Sequence, residues 1–192
     1  MKIILTEEQL KTLINHEKFE LINEQVKYNP SYWNSNAEII YNRLKQHGLP
    51  EKSVAAVMGN LFIESGFKPN AVGDTKLRGG TSVGIAQWRE TRKEGLINYA
   101  NKRGKSPNDI TTQVDYLMYE IKNKPFYSET KQALFNPNLS VSDTASVFTK
   151  NFERPANSTM EGKKRGMIAT QMVTNHKNKF QNALNSIYKL KR

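Results

Sequence analysis

The sequence contains no cysteine. That one absence excludes a disulfide framework, cysteine-ligated zinc and any thiol nucleophile. Histidine is scarce too. His16, His47 and His176 stand far apart, without metal-ligand spacing, and no His-Glu-x-x-His occurs. A zinc amidase or metallopeptidase is therefore not expected, nor any other metal or cofactor, and each histidine reads as a surface residue. Long hydrophobic runs are missing: no stretch approaches the roughly 20 apolar residues of a membrane-spanning helix. The apolar run Ile3-Ile4-Leu5 is too short for a signal-peptide core, so no ordinary export signal is expected. Carboxylates also run out. None follows Glu161, whereas Lys163, Lys164, Arg165, Lys177, Lys179, Lys189, Lys191 and Arg192 do.

What is present fits one compact domain of 192 residues with a short appended element. Hydrophobic residues at 37% suffice for a core, and charged residues at 24% are ordinary for a soluble protein. The balance of 29 Lys+Arg against 18 Asp+Glu, +11 overall, favours a polyanionic partner, or else a solvated basic helix face. Nucleic acid, an anionic cell wall and a membrane surface all answer to that charge. No nucleic-acid motif accompanies it, so nucleic acid is not expected. A monomer is expected.

Residues 4–25 read as a helix opened by a capping box at Thr6. The segment 27–36, rich in Asn, Ser and Pro, reads as a linker, so residues 1–28 are expected to form a helical arm and 29–192 the main domain. Asn36 can cap a helix to about His47 with Ile39, Ile40 and Leu44 inward, ended by Gly48. Pro50 opens the next helix, whose stripe Val54, Val57, Met58, Leu61 and Phe62 is clearly amphipathic and stops at Gly66. Between 66 and 88 five glycines and Pro69 exclude a helix, leaving loops and a small hairpin around Gly79-Gly80. Helices are then predicted over 91–103, 109–122, 127–134, 142–152 and 162–190. The fold class is α+β, mainly helical, with one glycine-rich β-hairpin insert.

Glu64 carries the most chemistry. It lies in the last turn of its helix, three residues past Leu61 and so on the flank of the apolar stripe. The helix C-terminus carries partial negative charge, and Phe62 and Phe67 are available to desolvate the carboxyl. Both effects favour the protonated form, the state a general acid needs near neutral pH. A glutamate exposed at a fraying helix end is the alternative reading.

The neighbouring string weighs on that choice. Asn60-Leu61-Phe62-Ile63-Glu64-Ser65-Gly66-Phe67-Lys68-Pro69-Asn70-Ala71, followed after a gap by Gly80-Thr81-Ser82-Val83-Gly84-Ile85-Ala86-Gln87-Trp88, resembles the lysozyme-like superfamily, in particular lytic transglycosylases and goose-type lysozymes. It is most similar to the phage tail lysozyme family, with further likeness at Asp115-Tyr116-Leu117 and Glu120 and at Phe152-Glu153-Arg154-Pro155. The likeness covers about residues 36–175 and leaves out the first 28. It implies a lysozyme-like fold and cleavage of the β-1,4 bond between N-acetylmuramic acid and N-acetylglucosamine in peptidoglycan, with Glu64 as general acid. It further implies that the Gly84–Gln87 segment is a strand lining the sugar cleft, with Ser82, Gly84 and Gln87 as substrate contacts.

Those roles suit the residue types. Ser82 and Gln87 supply donors and acceptors for hydroxyl and acetamido groups, and Gly84 lets backbone approach a sugar or else marks a bulge. Trp88 or Phe67 can stack on a sugar ring, Trp88 being equally suited to the core. Glycosidases usually employ two carboxyls. Asp74 is the candidate second one, against an Asx-turn role beside Gly73, and Glu90 is a further option. Glu153-Arg154 reads as a buried ion pair anchoring the loop before the last helix, with a cleft-rim position for Glu153 as the alternative.

The expected activity is thus a phage muramidase used at lysis, as an endolysin held in the host cytoplasm until release, or at entry, carried by the virion. Lytic transglycosylase chemistry on the same bond stays open. So does an inactive wall-binding or virion module that uses the basic C-terminal segment to hold anionic wall polymers.

Overall fold

The computed structural model describes residues 6, 29, 33–73, 81–155 and 157–190, with side chains through 175 and at 178. Apart from Thr6, the expected arm over 1–28 with its helix lies outside these residues, as do Asp74 and the Gly79-Gly80 turn. Among the described residues the chain forms seven α-helices and a two-stranded sheet, the mainly helical α+β architecture expected. The helices are α1 (Ser35–Gln46), α2 (Glu51–Ser65), α3 (Glu90–Asn101), α4 (Ile110–Asn123), α5 (Ser128–Phe135), α6 (Val141–Phe148) and α7 (Ser158–Leu190). Strands β1 (Val72–Gly73) and β2 (Ser82–Val83) lie between α2 and α3 and pair antiparallel, Val72 opposite Val83 and Gly73 opposite Ser82. No described helix is long and apolar enough to cross a membrane.

Local chemistry sets the helix ends. Asn34, not Asn36, caps α1: its side chain accepts from the Ala37 amide at 3.0 Å. That register buries Ala37, Ile40 and Leu44 and leaves Ile39 on the solvent side, contrary to the sequence expectation. Asn36 is freed to donate to the Phe67 carbonyl at 3.1 Å, tying α1 to the turn beyond α2. The α2 helix ends where Gly66 adopts a left-handed conformation (φ +58°) and its amide returns to the Phe62 carbonyl at 2.8 Å.

Helix α2 is the axis of the core. Residues 53–61 are all buried, polar Ser53 and Asn60 among them, so it is sheathed on every side rather than amphipathic. It packs on α6 and α7. The α7 contact depends on Gly59: a Cβ there would lie 2.7 Å from the Arg165 carbonyl oxygen and 2.9 Å from the Ala169 Cβ. Backbone-to-backbone approach of this kind admits no side chain. Gly59→Ala should therefore lower the thermal unfolding midpoint. Overpacking costs about 1–3 kcal/mol, and the helix-propensity gain of up to about 1 kcal/mol does not offset it. A midpoint unchanged or raised by calorimetry would show that the two helices separate at no cost.

Candidate active site

The Glu64-Ser65 end of α2 and the Gly84–Gln87 segment are joined directly. Ser65 Oγ donates to the Ile85 carbonyl at 3.0 Å, with the Leu61 carbonyl at 3.1 Å as its second acceptor. The segment is not the strand expected but a tight turn. Val83 and Trp88 exchange backbone hydrogen bonds (3.0 and 2.9 Å) and the Gln87 amide donates to the Gly84 carbonyl at 3.2 Å. Both Gly84 (φ +77°) and Gln87 (φ +46°) take left-handed conformations to close it.

Gln113 on α4 fixes this turn, a role invisible in the sequence. It is buried; its Oε1 accepts from the Ile85 amide at 2.9 Å and its Nε2 donates to the Pro69 and Pro107 carbonyls at 2.7 Å each. Three loops converge on one amide whose hydrogen-bonding groups are all engaged. A Cβ at Gly84 would sit 2.8 Å from that Oε1. Glycine is required there by both the backbone angle and the crowding.

Glu64 projects from the last turn of α2 with its side chain 18% exposed. Its environment differs from the apolar one expected: Arg165 of α7 donates from Nη1 to Glu64 Oε1 at 2.5 Å. That guanidinium is 4% exposed and also reaches Asn60 Oδ1 at 3.3 Å, with Glu161 3.6 Å from its Nε. Asn60 is itself held by donation to the Ala56 and Ala145 carbonyls and by acceptance from Thr149 Oγ1. Arg165 belongs by sequence to the basic run after Glu161. In the fold it turns inward.

Glu153 is the second carboxyl in this region. It ends a wide helical turn over Thr149–Glu153, terminated by Arg154 in a left-handed conformation (φ +55°). The ion pair expected between these two neighbours does not form. Arg154 lies over the Phe126 ring at 4.7 Å, while Glu153 Oε1 is buried with no hydrogen-bond partner among the described residues. Burial, reinforced by the negative charge of Glu64, pushes the Glu153 carboxyl well above the usual glutamate range against the opposing pull of Arg92 and Arg165.

Glu153 also borders a groove of about 440 Å³ lined by Gln87, Arg89, Glu90, Thr91, Arg92, Glu153 and Arg154, within the usual size range of ligand sites. Three of the four described non-glycine residues with positive φ, Gln87, Glu90 and Arg154, line it; the fourth, Phe67, follows the α2 terminus. Such strain costs roughly 1–3 kcal/mol per residue and clusters at functional sites.

Among the expected site residues, Gln87 lines this groove, and its Nε2 donates to the Gly84 carbonyl at 3.0 Å. Ser82 is buried and donates to Gln87 Oε1 at 2.5 Å, so it orients Gln87 instead of meeting a ligand. Exposed Glu90 lies on the groove. Trp88 and Phe67 are both 0% exposed and present no ring face to a sugar. Trp88 instead donates from Nε1 to Glu120 Oε2 at 2.8 Å, and Phe67 packs against Phe62. Apolar rings gain more from complete burial than from a half-wet stacking position. Asp74 lies outside the described residues; the preceding Gly73 lies against Gln87 and Ser82, with no space there for a Cβ.

Beneath the groove sits fully buried Glu120. It binds Arg92 (2.9 Å), Lys124 (2.9 Å) and Trp88. Burial alone would raise its pKa, but the bonds and charge of Arg92, with Lys124 and Trp88, hold it below the usual range. Arg92, its guanidinium 4.4 Å above the Phe152 ring, thereby becomes a fixed wall of the groove. His47, expected at the surface, is half-buried and pairs with Asp115 at 2.7 Å.

Comparison with known proteins agrees in extent with this arrangement. A family model described as phage tail lysozyme matches residues 35–175, from the start of α1 into α7. Morphogenesis protein 1 of Bacillus phage B103 is 26% identical over 128 residues, covering 64% of this chain and 34% of that protein. The chain thus spans about a third of the length of that relative.

Proposed function

The chain belongs to the phage tail lysozyme family, and from that premise we propose that it is a muramidase. Its substrate is bacterial peptidoglycan, cut at the β-1,4 bond between N-acetylmuramic acid and N-acetylglucosamine, and Glu64 is the general acid. The observation that carries this reading is the Ser65–Ile85 hydrogen bond, which ties the end of α2, where Glu64 stands, to the Gly84–Gln87 turn. A carboxyl able to protonate a glycosidic oxygen and an amide able to hold a sugar are thereby set on one rigid frame.

In the reaction Glu64 gives its proton to the bridging oxygen as the C–O bond breaks, and positive charge develops at the anomeric carbon. Gln87, fixed by Ser82 and Gly84, retains a second amide hydrogen for a hydroxyl or acetamido oxygen. Asp74 is the sequence-based choice for orienting a water. The mode of delivery follows the same reading: release at lysis as a bacteriolytic endolysin, or carriage on the virion, to which the name of the morphogenesis relative lends support. The basic C-terminal segment would hold anionic wall polymers.

Mass spectrometry of digested cell walls tests the reaction. Hydrolysis is expected to leave reducing muramic acid ends. Anhydro-muramic ends would assign the chain to lytic transglycosylase chemistry. Wall binding without any released glycan would mark it as an inactive module, and cleavage at peptide bonds would overturn the glycosidase reading.

A further inference from the structure

We propose that a second pocket, between α3 and α4 and apart from the groove at Gln87, binds an acidic sugar: a pyranose carrying a carboxylate or a phosphate. That a bacterial wall supplies such sugars to it rests on the muramidase reading above; the affinity itself does not.

The pocket has a volume of about 410 Å³, within the usual range for ligand sites, and shares no lining residue with the groove. Its walls are aromatic. Tyr99 of α3 meets Tyr116 and Tyr119 of α4 at ring separations of 5.4 and 5.3 Å, and Tyr116 and Tyr119 stack at 6.3 Å. Tyr116 is the floor: it is 1% exposed, and its hydroxyl donates to the Arg92 carbonyl at 3.1 Å. Gly95 makes room for it, since a Cβ there would run into the Tyr116 hydroxyl. A glycine inside a helix weakens that helix, and α3 carries one where this ring is seated. Tyr119, by contrast, is 43% exposed. The three rings form a packed cup with one side open to water. Ring faces suit the C–H face of a pyranose, and the exposed Asn98 amide beside them suits its hydroxyl or acetamido groups.

The rim is cationic. Lys102 and Arg103, just past the end of α3, and Lys124, just past α4, line the pocket, and no carboxylate does. Arg103 is held in place. Its Cζ stands 3.5 Å from the centre of the Tyr99 ring, and its Nη1 donates to the Tyr99 carbonyl at 3.2 Å. A guanidinium laid on a ring presents its other donors as a fork suited to carboxylate or phosphate. Neither Lys102 nor Arg103 has a carboxylate within ion-pair distance among the described residues. The acids whose charge reaches these rings are committed: Asp115 to Arg43 (2.6 Å) and His47 (2.7 Å), Glu120 to Arg92, Lys124 and Trp88. Cations at helix C-termini complement the helix dipole. That accounts for the charges alone, not for three rings gathered between them. Tyr99 is tilted by 56° and 44° to the other two rings. Rings so tilted enclose one sugar-sized ligand and offer no platform for the successive bases of a single-stranded nucleic acid.

Carbon-13 NMR of the full chain labelled at tyrosine reads occupancy without reference to turnover. The Tyr99 and Tyr119 ring signals are assigned through Tyr99→Phe and Tyr119→Phe. The probes are N-acetylmuramic acid, N-acetylglucosamine 6-phosphate and, as the neutral control, N-acetylglucosamine. Both rings should shift with the acidic sugars, and the neutral one should bind about fivefold more weakly or worse, the worth of solvent-exposed ion pairs. Lys102→Gln/Arg103→Gln should weaken the acidic sugars by about the same factor and abolish the preference. Should loss of Arg103 unsettle Tyr99, Lys102→Gln alone, expected to weaken them about twofold, decides. A response to the carboxylate sugar alone names the glycan strand as the source, and a response to the phosphate alone names a phosphate-bearing wall polymer; either upholds the site. Rings that stay unmoved, an equal response to the neutral sugar, or affinity unchanged in both variants overturns it. So does tighter binding of a thymidine oligonucleotide at the same rings, which would make this a nucleic-acid site. Acidic-sugar binding in a protein that releases no glycan would uphold the pocket and sink the muramidase reading. Silent tyrosines in an active enzyme would do the reverse.

Discussion

Glu64→Gln is expected to slow wall clearing by about 10²–10⁴-fold, the range attributed to a positioned general acid. The amide keeps the size of the side chain and offers Arg165 an acceptor in place of the carboxylate, so the loss reports missing proton transfer more than altered shape. Arg165 is 4% exposed, and an unpaired charge there would be costly, yet Asn60 Oδ1 at 3.3 Å and Glu161 at 3.6 Å remain beside it. The folded state should therefore survive, with a lower unfolding midpoint and an unchanged far-ultraviolet circular dichroism spectrum. Turbidity loss of purified walls, with circular dichroism as the control, makes the measurement. A folded variant that clears walls within a few-fold of the wild-type rate would remove Glu64 from the reaction.

Glu120→Gln should produce the largest loss of stability, about 3–5 kcal/mol, because it removes one side of a buried ion pair and leaves the other charged. Glu120 is 0% exposed and serves Arg92, Lys124 and Trp88 at once, so no water can replace it cheaply. Arg92 would keep the Phe152 carbonyl, its place over the Phe152 ring and one neutral amide oxygen, but no negative charge to balance its own. The same residue gives a pH dependence of known sign. Its pKa is held below the ordinary value in the fold, so the unfolded chain binds the proton more tightly. The stabilisation is present above the unfolded glutamate pKa, about 4.3, and is lost as pH falls through the lower folded value. Urea denaturation of wild type and variant at neutral and acid pH checks both statements. The difference between them should shrink below about pH 4; a difference constant down to pH 2 would show that Glu120 titrates no differently in the fold.

Loss of Arg92 order would also reach function. Arg92 forms one wall of the groove that Gln87 and Glu153 share, and it is one of the two cations opposing the raised Glu153 carboxyl. Glu120→Gln should therefore weaken wall binding beyond what the unfolded fraction explains, which a sedimentation assay well below the unfolding midpoint would show.

Much of this protein is written locally. The stop of α2 at Gly66, the start of α4 near Asp109 and the glycine-rich break before α3 follow from short-range chemistry, and the structure reproduces them. The position of Glu64 in the last turn of α2 follows in the same way. Residue type and spacing determine these features because caps, left-handed glycines and helical periodicity involve neighbours a few residues apart.

Partners at long range are another matter, and the tertiary structure alone decided them. Trp88 and Phe67 could have walled a cleft or filled a core; close packing around α2 placed both in the core. Arg165 looked like part of a solvated basic tail until Gly59 let α7 close on α2 and brought it to Glu64, 101 residues away. Glu153 looked like half of an ion pair with its neighbour. The left-handed turn at Arg154 sends the guanidinium to Phe126 and leaves the carboxyl at the groove, its Oε1 buried without a hydrogen-bond partner among the described residues. A side chain's charge and size are fixed by the sequence position it occupies, but whether that charge meets water, a cation or another carboxylate depends on which helix faces follow it in space.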